Sequence, residues 1–84
     1  MIEVIKFSAS WCNPCKVVAR QLDGLDYTDI DIDEDKEGLA KKTGIRNVPT
    51  LIFLKDGVEV SRHAGLITRQ EYLDKVKGLE DANS

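Results

Sequence analysis

Trp11-Cys12-Asn13-Pro14-Cys15-Lys16 decides how this chain is read, because it holds both cysteines, two residues apart, between two different periodicities. Upstream, Ile2, Val4, Ile5 and Phe7 form a short, nearly continuous apolar run, the pattern of a central strand covered on both faces. Downstream, Val17, Val18, Ala19, Leu22 and Leu25 recur at helical spacing, with Pro14 in the first turn and Gly24 at the C′ position. The cysteines therefore fall at a strand-to-helix turn. Free backbone N–H groups and the positive end of the helix dipole favour a thiolate there, which equips the turn for thiol–disulfide exchange.

Working outward, residues 27–32 alternate, with Thr28, Ile30 and Ile32 on one face and Tyr27, Asp29 and Asp31 on the other, as in a second strand. At a sheet edge its carboxylates would discourage edge-to-edge pairing. Asp33, Glu34 and Asp35 supply negative charge to the start of a short helix over 33–42, and Gly44 follows its last turn. Residues 50–54 and 58–64 are strand-like and joined through Lys55-Asp56-Gly57, so they are expected to form an antiparallel hairpin. Thr68 with Glu71 makes a capping-box pattern, and Tyr72, Leu73, Val76 and Leu79 line one face of a closing helix. The expected domain covers 1–79, with a polar tail at 80–84. The order is βαβαββα. Right-handed crossovers would set the first two strands parallel in the middle of the sheet, with the thiol turn at the carboxyl end of the first. Open α/β sheets place their sites at that edge.

Bulk properties narrow the function. A chain of 84 residues is one domain, and at that size folding buries only about 60–65% of the unfolded surface. The net charge of −3, the pI near 5.0 and the single adjacent basic pair, Lys41-Lys42, argue against nucleic acid or an anionic membrane surface as partner. Residues 2–7 are too short, and too interrupted by Glu3 and Lys6, for a signal-peptide core or membrane span, so a reducing cytoplasm is the expected location. In that compartment a lone CxxC indicates redox or metal chemistry rather than a structural staple. Structural zinc normally takes four ligands, whereas this chain offers two cysteines and one histidine, His63, far along in a strand-like run. No metal is expected.

Four separated motifs, in order, resemble thioredoxin: Trp11-Cys12-Asn13-Pro14-Cys15-Lys16, Gly44-Ile45-Arg46-Asn47-Val48-Pro49-Thr50, Lys55-Asp56-Gly57 and Gly65. The match spans most of the chain but lacks the leading strand and helix of a full-length thioredoxin. The resemblance therefore implies a minimal α/β thioredoxin-like fold, with a four-stranded mixed sheet flanked by helices. It also implies a cis bond at Val48-Pro49 and a docking patch for protein substrates formed by Trp11, Asn13, Pro14, Val48, Pro49 and Gly65.

By that resemblance the chain is a protein-disulfide reductase. It would be recharged by a flavin-dependent, NADPH-using thioredoxin reductase, would bind no cofactor beyond the Cys12/Cys15 disulfide, and is expected as a monomer. Cys12, at the end of the turn expected to be more exposed, is the candidate nucleophile, and Cys15, one step into the helix, the buried resolving thiol. Two positions depart from the family. Lys6 stands where a buried carboxylate is usual, and Asp29 where a lysine is usual. The expected arrangement has Lys6 and Asp29 facing each other beneath Cys15, with Asp29 as proton acceptor. Asn13 and Ser8 also differ from the residues most common there. A glutathione-using glutaredoxin is the nearest alternative, but Gly65-Leu66-Ile67-Thr68 lacks the double glycine and acidic cap that hold glutathione. A non-redox interaction module on the same fold is the third reading.

Overall fold

The computed structural model describes residues 1–82. Its elements are β1 (Ile2–Ser8), α1 (Asn13–Gln21), β2 (Thr28–Asp31), a 3₁₀ turn at Ile32–Glu34, α2 (Leu39–Thr43), β3 (Thr50–Lys55), β4 (Val58–Ala64) and α3 (Arg69–Asp81). The four strands form one mixed sheet in the order β2-β1-β3-β4. β1 and β2 are parallel, with Lys6 opposite Asp29 and Phe7 opposite Ile30, whereas β3 runs antiparallel to both β1 and β4.

The expected pair of central parallel strands is corrected in one respect: β2 lies at the sheet edge. β3 takes the other side of β1, and a four-residue strand with two carboxylates is suited to an edge, where acidic side chains stay in water. The main core lies on the β1 face that carries Val4. There Val4, Leu51 and Phe53 of the sheet pack with Val18 and Leu22 from α1 and its cap, with Ile67 just before α3 and with Tyr72 within it. The Phe53 and Tyr72 rings meet at 6.0 Å between centroids, tilted by 43°. On the opposite face Phe7 and Ile52 are buried, and Arg62, paired in register with Ile52, donates to the Thr43 carbonyl at 2.9 Å. That bond holds the carboxyl end of α2 against the sheet.

Local chemistry explains where the elements stop. α1 ends at Gln21 with Leu22 as its C-cap, so Leu25 packs on the core from the following turn rather than from the helix. The single helix expected over 33–42 is divided. The Asp35 carboxylate accepts the N–H groups of Leu39 (3.0 Å) and Ala40 (2.8 Å), so it competes with helix continuation and starts a new turn. Between the two pieces Gly38 has φ +66°, which L side chains rarely adopt. In the hairpin, Asp56 and Gly57 both have positive φ, as a type I′ turn requires. α3 begins with the full reciprocal capping box of Thr68 and Glu71. Tyr72, Val76 and Leu79 face the core, but Leu73 is exposed, at the border of a stripe with i, i+4, i+7 spacing. The helix runs on to Asp81, so Glu80 and Asp81 of the expected tail are helical, and Asn83 and Ser84 lie outside the described residues. Among the described residues no helix is long and apolar enough to cross a membrane.

Candidate active site

β1 ends at Ser8, and the Cys12 N–H donates to the Ala9 carbonyl at 3.1 Å, a tight turn that delivers Cys12 to the N-cap of α1. Cys12 and Cys15 are joined in a disulfide with Cα atoms 5.3 Å apart. The Cys12 sulfur accepts the Cys15 N–H at 3.2 Å, satisfying one of the otherwise free donors of the first turn. In this disulfide form burial does not separate the two cysteines: Cys12 is 4% and Cys15 3% exposed. This corrects the expectation of a more exposed Cys12, because Val48 and Ile32 pack over the Ala9, Cys12 and Cys15 cluster. What separates the cysteines is what each one faces.

Cys12 faces a loop. Its sulfur is 3.6 Å from the Val48 carbonyl oxygen, and the Val48-Pro49 peptide bond is cis. Thr50 Oγ1 donates to the Asn47 carbonyl at 2.6 Å, and the Gly65 N–H donates to the Pro49 carbonyl at 2.9 Å, so the loop is held from both sides. Gly65 takes φ +92°, outside the range comfortable for other residues. Trp11 is 64% exposed and its indole N–H donates to Asp33 Oδ2 at 2.9 Å. Beside it runs a groove of about 270 Å³ walled by Trp11, Ile32, Ile45, Arg46 and Val48. Asn13 and Pro14 are exposed at the rim of the disulfide.

Cys15 faces charge. A second cavity, of about 240 Å³, is bounded by Lys6, Ser8, Cys15, Lys16, Asp29 and Asp31. Lys6 Nζ lies 3.8 Å from Asp29 Oδ1, and the same oxygen accepts the Ser8 hydroxyl at 2.8 Å. Lys6 and Asp29 therefore do face each other beneath Cys15. Their environments differ sharply, for Lys6 is 3% exposed while the Asp29 side chain is 52% exposed. The Lys6 ammonium also stands 5.6 Å from the centre of the Tyr27 ring. Burial, and then the charges of Asp29 and Asp23, hold the Tyr27 phenol above its ordinary value, so it stays protonated and neutral at physiological pH.

His63 lies 2.8 Å through Nε2 from the Leu66 carbonyl, a local bond at the end of the hairpin. Among the described residues no group of three or more histidine, cysteine, aspartate or glutamate side chains could hold a metal ion. Sequence reasoning missed Ser8, Asp33 and the groove wall of Ile32, Ile45 and Arg46 as site residues. Ser8 carried a signal, since it shares the Lys6 face of β1 by alternation. Asp33 carried none, because its bond to Trp11 spans 22 positions.

Comparison with known proteins gives a consistent result. The thioredoxin family profile matches residues 2–78. The H-type thioredoxin of Oryza sativa subsp. indica is 35% identical over 76% of this chain and 57% of its own length. Thioredoxin-2 of Saccharomyces cerevisiae is 39% identical over 74% of this chain and 65% of its own length, so the chain spans less than two thirds of both relatives. The thioredoxin of Mycoplasmoides gallisepticum is 31% identical over 88% of this chain and 80% of its own length. Among solved structures, a mutant thioredoxin from Halobacterium salinarum aligns with a TM-score of 0.83 at 29% identity, covering 92% of this chain and 73% of that one.

Proposed function

The chain belongs to the thioredoxin family, and from that premise we propose that it reduces disulfides in protein substrates by cycling Cys12 and Cys15 between dithiol and disulfide. The observation that carries this reading is the disulfide itself, set at a helix N-terminus under a loop and beside an exposed indole. In the reduced form the Cys12 thiolate attacks one sulfur of a substrate disulfide. A Cys12–substrate bond forms, and the other substrate sulfur leaves as a thiolate. Cys15 then loses its proton, with Asp29 as the acceptor across the shared cavity, and its thiolate attacks the Cys12 sulfur. The Cys12–Cys15 disulfide closes and the second substrate thiolate departs, so the substrate gains the two electrons the dithiol gives up. Cys12 is the attacker because it caps the helix and packs under Val48, a wall residue of the groove; Cys15 lies inside the first turn and faces the charged cavity instead. Trp11, Asn13, Pro14, Val48, Pro49 and Gly65 form the substrate-docking rim.

Turnover needs an external reductant. We assign that role to an NADPH-dependent flavoprotein thioredoxin reductase, with the protein acting as a monomer in a reducing cytoplasm. The test follows reduction of insulin by the oxidised chain supplied either with such a reductase and NADPH or with glutathione alone. Reductase-driven turnover is expected, with Cys12→Ser lowering it to background and Cys15→Ser accumulating the covalent substrate adduct by mass spectrometry. Turnover with glutathione alone would move the assignment to a glutaredoxin. Full biological activity in a Cys12→Ser, Cys15→Ser double variant would remove the redox reading.

A further inference from the structure

Lysine is almost never fully buried unless paired, and Lys6 is 3% exposed. Its pairing is incomplete. Asp29 stands 3.8 Å away, is more than half in water, and already accepts the Ser8 hydroxyl at 2.8 Å with the same oxygen. The charges that face this cavity are Lys6 from β1, Asp29 and Asp31 from β2, and Lys16 from α1; outside it, the neutral Tyr27 ring lies beside the Lys6 ammonium. Of the four charged groups only Lys6 is buried, so it is the least screened by solvent and salt. Cys15 forms part of the wall of the same cavity.

We infer that Lys6 is a buried counter-ion for the Cys15 thiolate, a positioning residue that sets how readily the resolving cysteine ionises. This rests on the dithiol reading and goes beyond it. In the disulfide form the Cys15 sulfur is neutral, and the ammonium has only its partial pairing with Asp29. After reduction, loss of the Cys15 proton creates an anion in the wall of the cavity that the cation also lines, and an opposite charge across that small cavity favours the ionised form. The proton leaves through the open cavity toward Asp29 and solvent. No further redox partner is needed, because the step changes only the protonation of a thiol that the exchange cycle already generates.

A lysine that merely ties β1 to β2 would affect folding and leave thiol ionisation unchanged. The discriminating measurement is the midpoint of Cys15 ionisation, followed by ultraviolet thiolate absorbance in a Cys12→Ser background. Lys6→Met, close in length and uncharged, is expected to lower the ionisation constant about tenfold, which raises the midpoint by about one unit. Asp29→Asn, at a half-exposed position, removes the opposing carboxylate and is expected to move the midpoint down. In the chain with both cysteines, resolution of a mixed disulfide below the midpoint then slows only about threefold in Lys6→Met. The tenfold loss of thiolate is partly offset by the greater nucleophilicity of a more basic thiol. Above the midpoint the dithiol equilibrium shifts about tenfold toward the disulfide, about 30 mV. If the unaltered chain resolves mixed disulfides but Lys6→Met leaves the midpoint in place, or Asp29→Asn raises it, the inference is overturned and the dithiol reading stands. Should Lys6→Met fail to fold, Lys6→Gln, uncharged, polar and of similar reach, takes its place and is read in the same way. If the unaltered chain never resolves a mixed disulfide, both readings fall.

Discussion

The two sides of the disulfide differ more than its two sulfurs do. On the Cys12 side lies a groove of about 270 Å³ with an exposed indole, branched apolar walls and a loop carbonyl 3.6 Å from the sulfur. On the Cys15 side lies a cavity of about 240 Å³ edged by two lysines and two aspartates, one lysine only 3% exposed. Size does not distinguish them; the charged side chains in their walls do, four on the Cys15 side against Arg46 alone on the other. A wall with an exposed indole and branched apolar side chains gains free energy when another protein covers it, whereas a wall of charged side chains acts on whichever sulfur acquires charge. The lesson is a division of labour across a single bond, with recognition above it and ionisation below it.

The division breaks most visibly at Trp11. Its ring is the largest exposed apolar surface next to the disulfide, held in place by the bond to Asp33. Trp11→Ala removes an anchor of the kind that dominates protein interfaces, so KM for a protein disulfide should rise about tenfold. The Cys15 ionisation midpoint should not move, because Trp11 does not border the charged cavity. Steady-state kinetics on a protein substrate, run beside the absorbance titration, checks both halves. A midpoint that followed Trp11 would mean that the two sides are one site.

Combining the sides sharpens the comparison further. If recognition and ionisation are separate, Trp11→Ala and Lys6→Met should combine additively in log(kcat/KM), with a coupling of no more than about 0.5 kcal/mol. A double-mutant cycle measures this directly. A larger coupling would show that charge beneath Cys15 is felt by the docked substrate.

The recognition side was less legible in the sequence than the ionisation side, and the reason is sequence distance. Strand, thiol turn and helix follow from local periodicity, as do the Asp56-Gly57 hairpin and the Thr68–Glu71 capping box. The facing of Lys6 and Asp29 follows from alternation plus a parallel register. The groove needs residues brought together across the fold: Trp11 with Asp33, and Ile32 with Val48. Burial of Cys12 was equally hidden, since it depends on a loop 36 positions away. The edge position of β2 is favoured by its own acidity but fixed by which strand claims the other side of β1. The division of the 33–42 segment turns on the choice of one side chain, Asp35, to bond backbone N–H groups rather than solvent.

That choice supplies the mildest way to perturb one side alone. Asp35 starts α2, whose Ala40 borders the groove, and hydrogen bonds from the Ala40 and then the Leu39 N–H groups hold its carboxyl below the ordinary value of 3.8. A carboxyl with a lower value in the folded chain than in the unfolded one contributes stability above the unfolded value. That stability is lost as pH falls from there through the folded value. Asp35→Asn should therefore be less stable than the unaltered chain at neutral pH, and the two should converge in acid as Asp35 takes up its proton. Urea titrations across that range measure the difference, which is expected to be the smallest of this set because the carboxylate is open to solvent. The Cys15 midpoint should remain where it was, since α2 and the Cys15 cavity share no wall residue. If acid narrowed nothing between the two chains, Asp35 would be a surface carboxylate and the break in the helix would have to come from Gly38 alone.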